Sequence, residues 1–130
     1  MQYLVGADSV HTTAAACDYL EGRMTAEDAV AVVGVVPSDP VDGEPTRLDL
    51  EEAMNVASVR LVDAGTVETT LVDGAEPATA LRDRAAAWDV DEIVIGPHRG
   101  SPEAEGVGST CLDLLENARR PVVVVPAPTF

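Results

Sequence analysis

The residues best suited to bind a ligand run as one glycine-rich stretch, Gly96-Pro97-His98-Arg99-Gly100-Ser101-Pro102-Glu103-Ala104-Glu105-Gly106-Val107-Gly108-Ser109, directly after the apolar run Ile93-Val94-Ile95. Glycines let backbone N–H groups come close to a ligand. Gly108-Ser109 then opens a helix, whose free donors and positive dipole end suit an anion, phosphate above all. Ser109 has a hydroxyl to donate, and Arg99 or His98 can add positive charge. A ligand-free reading fits the same residues: Ser109 is a good N-cap by itself, and Gly108 serves close packing. A second polar signature, Asp8-Ser9, ends the first apolar run, with His11 just beyond it.

Other chemistry finds no support. There is no Gly-x-Ser-x-Gly elbow, no Walker sequence and no Ser-Gly-Gly loop of the ATP pyrophosphatase type. No catalytic residue is assigned, and the chain is not expected to be an enzyme. Its two histidines and two cysteines are scattered singly, without metal-ligand spacing, so no metal site is expected. Cys17 and Cys111 fall in helical segments and read as small buried hydrophobes rather than a disulfide.

Charge narrows the partners. The formal net charge is −15, from 23 acidic residues against 8 basic ones, all of them arginine. Such a surface repels phosphate backbones and anionic lipid heads, which excludes nucleic acid and membranes as expected partners. The carboxylates are spread along the chain, and the lysine-free, acid-rich surface suits a high-salt, halophilic cytoplasm. There, screening over about 3 Å at molar salt removes most self-repulsion. No apolar stretch reaches the roughly 18 residues of a membrane span, and no leader pattern is seen, so a cytoplasmic location is expected.

These loops must be positioned by a scaffold. At 130 residues the chain is expected to be a single domain, 1–130. Only 3% of it is aromatic against 46% hydrophobic, so its core must be built of Val, Leu, Ile and Ala. Tyr3–Ala7 reads as a first strand and Thr12 to about Met24 as a first helix. Ala29–Val36, apolar on both faces, reads as a central strand. The loop 37–46 follows, then a helix carrying Leu50, Met54, Ala57 and Leu61 at helical spacing. Thr66–Val72 alternates like a half-exposed edge strand. Pro77 opens a third helix with Ala78, Leu81, Ala85 and Trp88 on one face. After Ile93–Ile95 and the glycine-rich loop, Ser109 caps a last helix with Cys111, Leu112, Leu115 and Ala118 as its buried stripe. Val122–Val125 is the last strand. Alternating strands and helices predict an α/β fold, a doubly wound parallel sheet of five strands with helices on both faces. If its order is 3-2-1-4-5, the switch-point crevice lies between strands 1 and 4, walled by Asp8 and the loop from Gly96.

The ordered set Tyr3-Leu4-Val5-Gly6-Ala7-Asp8, Gly34-Val35-Val36-Pro37, Ala64–Thr69, Gly74–Pro77, Asp91–His98, Gly108-Ser109 and Arg120–Val125 resembles the universal stress protein family over essentially the whole chain. That resemblance implies the 3-2-1-4-5 sheet, a stress-response role, and dimerisation through the last strand. It also implies ATP or another adenine nucleotide as ligand, with or without Mg, for the class carrying Gly-x2-Gly-x9-Gly-Ser/Thr. By the resemblance, Asp8 matches the first-strand aspartate beside the nucleotide, and Val35 the second-strand valine beside the base. Gly96 matches the first glycine, and Gly108-Ser109 the final pair. The middle departs: Arg99 stands at the second glycine position, Gly100 comes one place late, and the spacing is Gly-x3-Gly-x7-Gly-Ser. Glu103 and Glu105 oppose a triphosphate unless they point away or hold a cation.

Two functions follow as expectations. The first is a homodimeric stress-response module with an adenine nucleotide held by Asp8, Val35, Gly96, Arg99, Gly100, Gly108 and Ser109. The alternative is a dimeric interaction protein of the same fold without nucleotide. In either, the uncharged, β-branched strand Val122–Val125 is the expected homodimer edge, flanked by Pro121 and Pro126.

Overall fold

The computed structural model describes residues 1–36, 46–74, 76–96 and 109–126. Five strands and four helices alternate: β1 (Gln2–Ala7), α1 (Val10–Glu21), β2 (Ala29–Val36), α2 (Arg47–Leu61), β3 (Thr66–Asp73), α3 (Pro77–Ala87), β4 (Glu92–Ile95), α4 (Ser109–Asn117) and β5 (Val122–Val124). The sheet runs β3-β2-β1-β4-β5, every neighbouring pair parallel, as the sequence predicts.

The period of two along each strand sorts the core into two layers. Tyr3, Val5, Ala7, Val30, Val32 and Val94 face α1 and α2, meeting Ala16, Cys17, Leu20, Ala53, Met54, Ala57 and Leu61. Leu4, Val33, Val35, Ile93 and Ile95 face α3 and α4, meeting Ala80, Leu81, Ala85, Cys111 and Leu114. Burial on both faces explains why β2 is an almost unbroken valine run. β3 alternates because it is an edge, partly exposed throughout.

Local chemistry sets the helix starts. Ser9, in an extended conformation, accepts a hydrogen bond from the Thr12 amide, so α1 begins at Val10. It starts two residues earlier than its alanine run suggests and stops at Glu21, where Gly22 caps it, short of Met24. Thr46 and Asp49 form a reciprocal capping box on α2. Glu76 caps α3 ahead of Pro77. α4 includes Ser109 as its first residue, so Ser109 stands in the first turn, and the residue before it lies outside the described set.

α4 corrects the expected buried stripe. Leu114 is fully buried with Cys111 and Ala118, whereas Leu112 and Leu115 are each 50% exposed. Residues 111, 114 and 118 share one helical face as well as 111, 115 and 118 do, and packing selects the first set. In that rotation Asp113 Oδ1 lies 3.2 Å from Arg82 Nε on α3. β4 begins at Glu92, one residue before the apolar run. That carboxylate is buried, accepts the Tyr19 hydroxyl at 2.9 Å, and lies 3.6 Å from Arg23. β5 ends at Val124, and the Val125 amide still donates to the Ile95 carbonyl at 2.8 Å. Among the described residues no helix is long and apolar enough to cross a membrane.

Candidate functional site

In register, Ala7 of β1 stands beside Gly34 of β2, and Val5 beside Val94 of β4. Asp8 and Gly96 therefore leave the carboxyl ends of adjacent strands, and the chain departs in opposite directions from them. β1 leads through α1 toward β2, while β4 leads through α4 toward β5. This divergence is the crevice where open parallel sheets take ligands.

One side chain joins its two walls. Thr12, in the first turn of α1 and 3% exposed, donates its hydroxyl to Asp8 Oδ1 at 2.6 Å. Its amide donates to Ser9 Oγ at 3.2 Å, and its Oγ1 lies 3.0 Å from the same Ser9 hydroxyl. A hydrogen bond to an ionised acceptor is the strong kind, so the Asp8 carboxylate is held in one orientation. From the other side Thr12 touches Gly96. A Cβ built on Gly96 would stand 2.9 Å from Thr12 Cβ and 3.0 Å from its Cγ2. Gly96 has no left-handed backbone angle to explain it. Its missing side chain is what lets β4 end against α1.

The predicted site residues separate as follows. Asp8 and Gly96 meet through Thr12. Val35 lies on β2 just past the level of Ala7, buried in the layer under α3 and α4. Ser109 opens α4. Arg99, Gly100 and Gly108, with His98, Glu103 and Glu105, lie outside the described residues. His11 is exposed on the first turn of α1. The sequence reading passed over Thr12, although a hydroxyl four residues after Asp8, and three after a capping Ser9, was a legible signal.

Thr13 adds an unusual feature. Its hydroxyl is buried, with the residue 1% exposed, and it has no hydrogen-bond partner among the described residues. An orphaned buried hydroxyl costs about 1–3 kcal/mol. It stands beside Thr12, in the helix turn that walls the crevice. The Asp8 carboxylate, held by Thr12, is an acceptor of the kind that a nucleotide's sugar hydroxyls can meet.

Neither cysteine is placed to react as a thiolate. Cys17 and Cys111 are free and buried. Burial pushes the Cys17 thiol up to about 11, Arg60 opposing it only in part, and burial raises Cys111 as well. Among the described residues no three His, Cys, Asp or Glu side chains gather to hold a metal ion. A separate open cavity of about 270 Å³ lies at the other end of the sheet, over the starts of β1, β2 and β3, with Glu68 and Trp88 in its lining.

Topology defines a doubly wound α/β protein whose chain direction reverses between β1 and β4. The model of the universal stress protein family matches residues 3–126, and the chain belongs to that family. No curated protein sequence matches the chain. Among solved structures, the universal stress protein from Archaeoglobus fulgidus is 25% identical, with a TM-score of 0.65 over 96% of this chain and 98% of its own. A universal stress protein in complex with cAMP is 22% identical, with a TM-score of 0.70 over 98% of both chains. An Arabidopsis thaliana family member with AMP bound is 12% identical, with a TM-score of 0.72 over 99% of this chain and 93% of its own.

Proposed function

We propose that this chain is a stress-response module that binds an adenine nucleotide in the crevice between β1 and β4. The observation that carries the reading is the Thr12 bridge, which orients Asp8 and seats Gly96 at one switch point. Asp8, Val35, Gly96, Arg99, Gly100, Gly108 and Ser109 are the proposed contacts, with the phosphates toward the amino end of α4. ATP or a related adenine nucleotide is the ligand class, and magnesium accompanies it where the phosphates require charge compensation. Solved relatives bound to cAMP and AMP support an adenine nucleotide. In this reading the module senses its ligand rather than turning it over, in a salt-rich cytoplasm.

The module works as a homodimer paired through Val122–Val125. The edge is apolar and uncharged, and strands of that kind pair unless guarded. A second reading, a dimer that holds no nucleotide, draws on one observation: packing against Thr12 already accounts for Gly96 being glycine. Mass spectrometry of freshly purified, gently denatured protein separates the two. Stoichiometric release of an adenine nucleotide supports the first reading, and its absence from protein that also resists loading supports the second.

A further inference from the structure

We propose that the cavity at the amino ends of β1, β2 and β3 binds a small methylated ammonium ion, taken up between the Trp88 indole and the Glu68 carboxylate. It lies at the opposite end of the sheet from Asp8, so it stands apart from the nucleotide reading.

The cavity follows from a change of residue size along β2. The sheet face that meets α3 and α4 takes alternate residues, which on β2 are Ala29, Ala31, Val33 and Val35. Val33 and Val35 are buried in the core layer, whereas Ala29 and Ala31 stay partly exposed. In register, Gln2 of β1 stands beside Ala29, and Glu68 of β3 stands beside Ala31. Two methyl side chains thus leave a low apolar floor between taller neighbours. The end of α3 forms the wall: Trp88 caps the helix and packs against the core layer, and Val90 follows, buried. The space bordered in this way is about 270 Å³, at the small end of the roughly 300–1,000 Å³ usual for ligand sites.

Charge then selects the ligand. Among the described residues Glu68 is the only charged side chain in the lining, and it makes no ion pair. Asp91 accepts the Gln2 amide at 2.7 Å, which puts a second carboxylate at the border. The cations nearby are engaged elsewhere. Arg120 donates to Asp89 and to the Val90 carbonyl. Arg84 stands over the Trp88 ring, its guanidinium carbon 5.4 Å from the centroid, and is not part of the lining. That contact marks the indole as a ring that accepts a cation.

An aromatic ring, a carboxylate and an apolar floor are the parts that recognise a methylated ammonium. An anion meets Glu68 and Asp91, on a chain of net charge −15, and is repelled. A primary ammonium is compact and strongly hydrated, and alanine methyls do not replace its water. Methyl groups on the nitrogen reverse that balance, because they gain by burial against Ala29, Ala31 and Val90.

Trp88 is the only tryptophan of the chain, so its fluorescence reports on this cavity directly. The protein is titrated with choline chloride, and separately with the neutral analogue that has carbon in place of nitrogen (dimethylbutanol), at ionic strength held constant with sodium chloride. Choline should give a saturable change in Trp88 emission and bind roughly fivefold more tightly than the analogue. Glu68→Gln, on an exposed position of the edge strand, should keep the melting temperature and weaken choline about threefold. Ala31→Leu, which raises the floor, should abolish the response. No saturable change with choline, equal binding of the neutral analogue, or wild-type affinity in either variant overturns the proposal. Should Ala31→Leu not fold, the analogue and Glu68→Gln decide.

Discussion

Thr12 donates its hydroxyl to Asp8 at 2.6 Å, while the rest of its side chain fills the space where Gly96 lacks one. One buried threonine thus sets both the direction of a carboxylate and the closeness of two strand ends. Neither wall of the crevice can move without displacing Thr12.

Replacing Thr12 by valine keeps the shape and removes the donor. The Asp8 carboxylate then loses a charge-assisted hydrogen bond, worth about 1.5–3 kcal/mol where it is fully formed. We expect nucleotide affinity to fall roughly tenfold, and Thr12→Ser to recover most of it. Isothermal titration of the three proteins checks this; equal affinities would remove Thr12 from the positioning role.

Gly96→Ala should destabilise the fold by about 1–3 kcal/mol, because the added methyl meets the Cβ of a buried residue rather than a flexible side-chain end. Urea denaturation measures it. A change under a few tenths of a kcal/mol would mean that β4 and α1 are not in contact as described.

Thr13→Val runs the other way. Removing a buried hydroxyl that lacks a partner should stabilise the ligand-free protein by about 1 kcal/mol. Urea denaturation measures it, and a variant less stable than wild type would show that the hydroxyl has a partner after all.

Glu76 provides the pH dependence. Burial pushes its carboxyl up, but hydrogen bonds from the Thr79 amide and hydroxyl and the Ala78 amide outweigh that and hold it below the usual carboxylate range. A depressed value in the folded state means the stabilisation is complete at neutral pH and disappears as pH falls through the folded value. Glu76 is exposed, so solvent screening keeps the contribution small. Glu76→Gln should cost about 0.5–1 kcal/mol at pH 7, and the two stability curves should converge in acid. A difference that persists unchanged to low pH would contradict the capping role.

Much of this was legible in the residues. Valine runs on both faces marked β2 as central, alternation marked β3 as an edge, and Asp8 and Gly96 announced the crevice. Proline at position 77 announced a helix start. The rotation of α4 was not legible, because Leu112, Leu114 and Leu115 offer two helical stripes through Cys111 and Ala118. Only packing in the core layer with Ile93 and Ile95 chooses between them. Thr12 carried a signal in its spacing from Asp8 and Ser9, but an alanine-rich helix reads as beginning at its apolar residues, so a threonine in its first turn looked like a boundary rather than a bridge. Gly96 read as a ligand contact, and only three-dimensional packing discloses its second duty toward Thr12.

The central claim is that Asp8 and Gly96 frame an adenine-nucleotide site, and equilibrium stability measured against nucleotide tests it most directly. Wild type and Asp8→Ala are unfolded in molar salt with magnesium, alone and with ATP, ADP or AMP. A ligand that binds only the folded state stabilises it by mass action, about 2.7 kcal/mol at a hundredfold excess over its dissociation constant. Wild type should show that gain with at least one adenine nucleotide, and Asp8→Ala a much smaller one. No stabilisation of wild type by any of the three at millimolar concentration would contradict it.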